Sequence, residues 1–253
     1  LYPMISVEDV WKRFRIPHKK KGTLFDLWPL SILEGKRFSY EELWALKQIN
    51  FKLDQGDSMG IIGPNGSGKS TLLKLIANVM RPDKGTIETN GSVVAILELG
   101  IGFHGDLSVK ENLLIYAVIM GIPRSEVKKK SSSILDFAGL TKFEDAQLKH
   151  LSSGMQVRLA FAIAIETNAD LFLVDEALAV GDMEFQQKCL NKFRDFKEQG
   201  KSIVLVSHNI EQVKSFCEKS LYLNRGEMRA FGPSDEAIRL YWQEYLYKSV
   251  HTS

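Results

Sequence analysis

The sequence predicts an α/β fold with a mostly parallel central sheet, and three observations carry that expectation. Two short apolar runs, residues 171–174 (Leu-Phe-Leu-Val) and 203–206 (Ile-Val-Leu-Val), end in the polar pairs Asp175-Glu176 and Ser207-His208. Runs of this kind, apolar at every position, read as strands buried on both faces, as in a parallel sheet. Stretches with apolar residues at helical spacing lie between such runs, which is the alternation of an α/β chain. The third observation is a glycine-rich turn, Gly-Pro-Asn-Gly-Ser-Gly-Lys-Ser-Thr at residues 63–71, set between an apolar segment (Met59, Ile61, Ile62) and a helical pattern over residues 69–79.

Taken in order, residues 4–10 and 49–53 alternate apolar and polar positions like strands. Between them the run Leu24, Phe25, Leu27, Trp28, Leu30, Ile32, Leu33 suggests a short apolar helix behind the basic cluster Lys19, Lys20, Lys21. After the glycine-rich turn and its helix, Arg81-Pro82-Asp83-Lys84-Gly85 marks a turn, and strands are expected at residues 86–88 and 92–97. Helices follow at residues 108–121 and 124–137, the first opened by Ser108 with Glu111 three residues on, a capping-box pattern. Leu151-Ser152-Ser153-Gly154-Met155 opens another apolar helix that runs to about residue 167. Residues 219–231 read as a hairpin turning near Asn224-Arg225-Gly226, and a last amphipathic helix rich in Tyr and Trp follows Pro233.

The 253 residues are enough for one large core, and the near-balance of 33 basic and 31 acidic side chains gives no reason to expect a nucleic-acid partner. The two cysteines, Cys189 and Cys217, are far apart, lack metal-type spacing, and are expected to be inert in helices of a cytosolic protein. The best apolar runs, residues 113–120 and 159–165, are too short to span a bilayer, so a membrane, if involved, is crossed by another chain.

Residues 63–71 have the chemistry of a phosphate-binding loop. Gly63, Gly66 and Gly68 let successive backbone N–H groups point inward with Pro64, Asn65 and Ser67 between them; Lys69 brings a positive charge, and Ser70 a hydroxyl for Mg²⁺ ahead of Thr71. The bound phosphates would sit at the start of a helix. A match to G-x-x-x-x-G-K-[ST] arises by chance in about one chain in a hundred of this size. Asp175, at the end of an apolar strand, suits Mg²⁺ coordination together with Ser70. Glu176 beside it suits the polarising of an attacking water. His208, at the end of the other buried strand, can touch a γ-phosphate and sense its loss. The segment Ser152-Ser153-Gly154-Met155 reads as a helix cap, or as an anion site for the γ-phosphate held by a second copy of the chain.

With these residues in view, the chain resembles an ATP-binding cassette ATPase over residues 4–231. Residues 63–71 match the Walker A loop, 151–155 the signature, 171–176 the Walker B strand and its glutamate, 179–182 the D-loop ending in Asp182, and His208 the switch histidine. The resemblance implies a P-loop NTPase fold with a mostly parallel core sheet, an antiparallel β part and a helical subdomain at about residues 99–165. It implies a nucleotide-binding domain at residues 4–232, with an insertion at 15–45, and a C-terminal helix and tail at 233–253. It further implies a homodimer in which each ATP, with Mg²⁺, lies between one phosphate loop and the opposite signature. Adenine would stack on an aromatic at the end of the first strand, Phe14 or, through the insertion, Tyr40.

Two positions depart from the commonest family form. Ser153 and Met155 stand where Gly and Gln are usual in the signature, and no glutamine follows the strand at residues 92–97, where Glu98 is the nearest candidate metal ligand. The segments 97–104 and 152–162 are similar to the branch that exports lipid-linked polysaccharides such as O-antigen and teichoic acid. That branch implies a separate integral membrane permease as partner, the polysaccharide as indirect cargo, and a peripheral position on the cytoplasmic face of the inner membrane. Loop 99–108 and the helix after it would meet the permease. The alternative is a nucleotide-gated binding module with little or no hydrolysis, motivated by Met155 and the missing glutamine and opposed by the presence of Glu176 and His208.

Overall fold

The computed structural model describes residues 2–18, 39–97, 99–175 and 182–251. The expected helix around residues 24–33, as well as Glu98 and Glu176, lies outside these residues. In chain order the elements are β1 (Ile5–His18), β2 (Ser39–Leu53), β3 (Ser58–Ile62), α1 (Lys69–Ile76), β4 (Lys84–Thr89), β5 (Val93–Ile96), α2 (Val109–Ile119), α3 (Arg124–Ala138) and α4 (Ser153–Ala164). They continue with β6 (Leu171–Asp175), α5 (Met183–Glu198), β7 (Ser202–Val206), α6 (Ile210–Phe216), β8 (Lys219–Asn224), β9 (Glu227–Pro233) and α7 (Ser234–His251).

Among the described residues the strands form one sheet in the order β4-β1-β2-β9-β8-β3-β7-β6-β5. The half containing β5, β6, β7, β3 and β8 is parallel, while β1 pairs antiparallel with β2 and β4, and β8 with β9. A single parallel pair, Lys47 with Glu227, joins the two halves.

Period-2 alternation divides the core into two layers. Phe172 and Val174 of β6, with Ile203 and Leu205 of β7, face the side covered by α4, α5, α6 and α7. Their neighbours Leu171, Leu173, Val204 and Val206 face α1 and the antiparallel strands. Both faces are therefore buried, which is why these runs are apolar at every position. A third cluster, built from α2, α3 and α4, forms the helical part and includes Leu113, Tyr116, Ile134, Leu135, Leu159 and Ile163.

The first two strands are longer than alternation predicts, reaching His18 and starting at Ser39 rather than Ile49. Apart from Leu46, which is fully buried, the extension is held by cross-strand polar and aromatic pairs. Arg13 pairs with Glu42 at 2.9 Å, and the Trp11 and Trp44 rings meet edge to face at 5.5 Å. The final helix packs on the cassette through buried Ala237 and Ile238, leaving Trp242 and Tyr245 exposed. Cys189 lies in α5 and Cys217 closes α6. Both are buried and unpaired, and burial pushes the Cys189 thiol up to about 12 and the Cys217 thiol up as well, so neither is a nucleophile at neutral pH. None of the described helices is long and apolar enough to cross a membrane.

Candidate nucleotide site

Three neighbouring parallel strands deliver the sequence motifs to one edge of the sheet. β3 pairs with β7 and β7 with β6, in register, so their carboxyl ends lie side by side. Ile62 of β3 leads into the loop at Gly63, Asp175 ends β6 opposite Val206, and His208 follows β7 two residues beyond Val206. This is the edge at which parallel α/β sheets bind ligands.

The loop geometry requires glycine at two points. Gly63 has φ 148, and a Cβ there would sit 2.1 Å from the carbonyl oxygen of Leu223. Gly68 caps α1 with φ 106, and a Cβ would meet the Ala45 oxygen at 2.7 Å. The packing that forbids these side chains also presses the loop between β8 and β2. Lys69 is only 6% exposed, and its ammonium donates to the carbonyl oxygens of Gly63 (2.9 Å) and Pro64 (3.1 Å), which hold it under the loop.

A cleft of about 650 Å³ opens above the loop, a volume suited to a nucleotide. It is lined by Asn65, Gly66, Ser67, Gly68, Lys69, Ser70 and Thr71, and by Phe14 and His208. Phe14, 40% exposed, stands in β1 and lines the cleft, whereas Tyr40 is absent from the lining. His208 is exposed on a short connection fixed from both sides. Ser207 Oγ accepts from the Asn209 N–H at 3.1 Å, and the Asn209 side chain caps α6 by accepting from the Gln212 N–H at 3.1 Å.

Sequence reasoning missed part of the wall. Trp44 and Lys47 of β2, and Arg225 and Gly226 of the β8–β9 turn, also line the cleft. No motif marks them, because they arrive through long-range pairing. The hairpin turn itself was legible at Asn224-Arg225-Gly226, but its docking onto the phosphate loop was not.

Ser152, Ser153, Gly154 and Met155 lie outside that cleft. Ser152 caps α4, accepting from the Met155 N–H at 3.3 Å, while the Ser153 side chain is exposed at the first position of the helix. The α4 N-terminus thus offers unpaired N–H groups and the positive end of a helix dipole without meeting the phosphate loop of its own chain. Arg158 of α4 reaches Asp182 at 2.6 Å, and Asp182 caps α5 by accepting from the Phe185 N–H at 2.9 Å. The Phe185 N–H first, and the Arg158 guanidinium second, hold the Asp182 carboxyl below the usual carboxylate range. The link is therefore present at neutral pH and is lost as pH falls through that lowered value.

The family described as ABC transporter matches residues 46–179, just over half of the chain. The O-antigen export system ATP-binding protein RfbB of Klebsiella pneumoniae is 35% identical over 248 residues, covering 96% of this chain and 99% of that protein. The chain belongs to the ABC transporter family. Other relatives extend well beyond the cassette. The teichoic acids export ATP-binding protein TagH of Bacillus anthracis is 41% identical over 96% of this chain, and the RfbB protein of Myxococcus xanthus is 42% identical over 94%. The chain spans 43% and 55% of their lengths, about half of each. Among solved structures, a dimeric ATP-binding cassette in a post-hydrolysis state bound to ADP and Pi superposes with a TM-score of 0.71 at 24% identity, covering 91% of this chain and 99% of that one. An ATP-binding subunit of an ABC transporter superposes at 0.74 and 22% identity, covering 97% and 98%. At these identities the structures establish the cassette fold.

Proposed function

We propose that this cassette is the ATPase subunit of an exporter, hydrolysing Mg-ATP between two head-to-tail copies to drive a lipid-linked polysaccharide through a separate membrane subunit. One observation carries the reading: the phosphate loop and His208 share a cleft at the ends of β3 and β7, while the signature helix starts elsewhere on the surface. Each copy thus holds two half-sites that only a second copy can complete. The names of the relatives, which export O-antigen and teichoic acids, support the class of cargo.

The residues suit ATP. Gly66 has nothing within 4 Å of where a Cβ would stand, so the loop is open on that side. Ser67 Oγ is buried with no hydrogen-bond partner among the described residues, a polar atom that a ligand or a bridging water can satisfy. Lys69 and the loop N–H groups hold the β- and γ-phosphates, and Phe14 stacks on adenine. Ser70 and Asp175 would hold Mg²⁺, with Glu98 a further ligand. When bound, Mg²⁺ supplies charge neutralisation on the phosphate oxygens.

Glu176 accepts a proton or a hydrogen bond from the attacking water, and His208 contacts the γ-phosphate. Ser153, Gly154 and the α4 N-terminus of the second copy stabilise the charge that develops on the phosphoryl group. The water oxygen bonds to the γ-phosphorus as the bond to the ADP oxygen breaks, and departure of the inorganic phosphate removes that charge and lets the two copies part. Ile101 and Ile119, 65% and 64% exposed, give loop 99–108 and α2 an apolar surface suited to the membrane subunit. A cassette at residues 4–232 and a C-terminal helix and tail at 233–253 suit this division of labour, with the cassette peripheral to the cytoplasmic face of the inner membrane.

Purified chain given Mg-ATP should release phosphate slowly, and faster once reconstituted with its membrane subunit. Absence of turnover in both preparations contradicts the proposal.

A further inference from the structure

The β8–β9 turn carries a cation into the nucleotide cleft, at a position outside every motif. Arg225 and Gly226 have φ of 52 and 79, so both central residues of this tight hairpin are left-handed. For an arginine that backbone is strained, where Asn or Gly would fit with less cost.

The turn is locked where it stands. The Gly226 N–H donates to the Ser67 carbonyl at 3.0 Å, tying it to the phosphate loop, and the Gly226 carbonyl accepts from the Lys47 N–H at 2.7 Å, tying it to β2. A Cβ on Gly226 would lie 2.7 Å from the Ala45 oxygen. From below, Glu244 of α7 accepts from Tyr222 Oη at 2.8 Å and from Asn224 Nδ2 at 3.0 Å, and pairs with Arg229 at 3.0 Å.

The charged side chains that flank the turn are matched among the described residues, whereas Arg225 is not. Glu244 is taken by Arg229, and Glu227 by Lys47 at 3.5 Å. Arg225 is exposed and has no carboxylate partner among the described residues, yet it lines the same cleft as Lys69 and Phe14. A strained, locked and unmatched guanidinium beside a phosphate loop has the geometry of an anion contact, and guanidinium suits phosphate oxygens through paired N–H donors.

We propose that Arg225 is a nucleotide-binding residue that meets the phosphate chain of ATP alongside Lys69. The inference rests on the reading of this cleft as the ATP site. Glu244 and Asn224 act as positioning residues that hold the turn.

Titration of the full chain with a fluorescent ATP analogue, and competition by ATP, ADP and AMP, tests it. The Arg225→Asn variant keeps a residue that tolerates the left-handed backbone, so the turn persists. It is expected to bind ATP about tenfold more weakly, the scale of one charge-assisted contact discounted for solvent exposure. AMP should lose less than ATP, the Arg225→Lys variant should recover part of the affinity, and the thermal midpoint should match wild type. Wild-type ATP binding with an Arg225→Asn affinity within twofold of it overturns the inference alone. Equal losses for ATP and AMP overturn it too, because they signal a structural role. A wild-type chain that fails to bind ATP overturns the reading of the cleft and the inference with it.

Discussion

Replacing Lys69 with alanine is expected to cut ATP turnover by about 10²–10³-fold, the loss typical of removing one preorganised charge from a site where negative charge develops. The size follows from the position of the residue. Lys69 starts α1 directly after the loop, is almost fully buried, and is directed by two backbone carbonyls, so its ammonium is oriented before any substrate arrives. A surface lysine would be hydrated and mobile, and its loss would matter far less. Alanine also leaves the Gly63 and Pro64 oxygens without this donor, which adds a cost to the loop itself. The check is phosphate release by the purified variant, with circular dichroism to establish that it folds. Turnover within about tenfold of wild type would show that the loop does not use this charge.

The Phe193→Ala variant is expected to lose about 3–5 kcal/mol of stability, the range for removing a large buried ring and leaving a cavity. Phe193 is fully buried at the centre of an aromatic cluster on the α5 side of the sheet. Its ring meets Phe161 at 5.8 Å, Phe196 at 6.0 Å, Phe172 at 6.2 Å and Phe216 at 6.3 Å, each at a steep interplanar angle. These rings come from α4, α5, β6 and α6, so one substitution loosens four elements at once. Edge-to-face pairs add to the plain burial term, which places the expected loss toward the upper part of the range. For a chain of this size the thermal midpoint should fall by roughly 6–20 °C. Denaturant unfolding gives the free energy directly, and a loss under about 1 kcal/mol would mean that the cluster repacks around the gap.

The parallel half of the fold was legible because its strands are buried on both faces. Residues 171–174 and 203–206 are apolar at every position, as such burial demands, and the polar residues that end them are those brought to the ligand edge. The tight turn at residues 63–71 was legible because its backbone needs glycine at fixed positions, Gly63 and Gly68 among them. The antiparallel half was legible only where it alternates. The outer parts of β1 and β2 are held largely by ion pairs and ring contacts across the ladder, such as Arg13 with Glu42, and the short alternation that includes Phe14 and Ile16 leaves both side chains exposed rather than marking a core face. The far wall of the cleft was hidden for a related reason. Lys47 and Arg225 are 178 residues apart in the chain and come together through one strand pair and one tight turn, which leave no local signature.

Two copies of this cassette are expected to close on ATP, each completing the other's half-site. The most direct test is the solution mass, by light scattering, of the Glu176→Gln variant with Mg-ATP. The expected result is a species of twice the chain mass that reverts to the single chain when ATP is removed, and that a Ser153→Glu substitution prevents by placing a negative charge against the γ-phosphate. A variant that binds ATP and keeps the mass of one chain would contradict it.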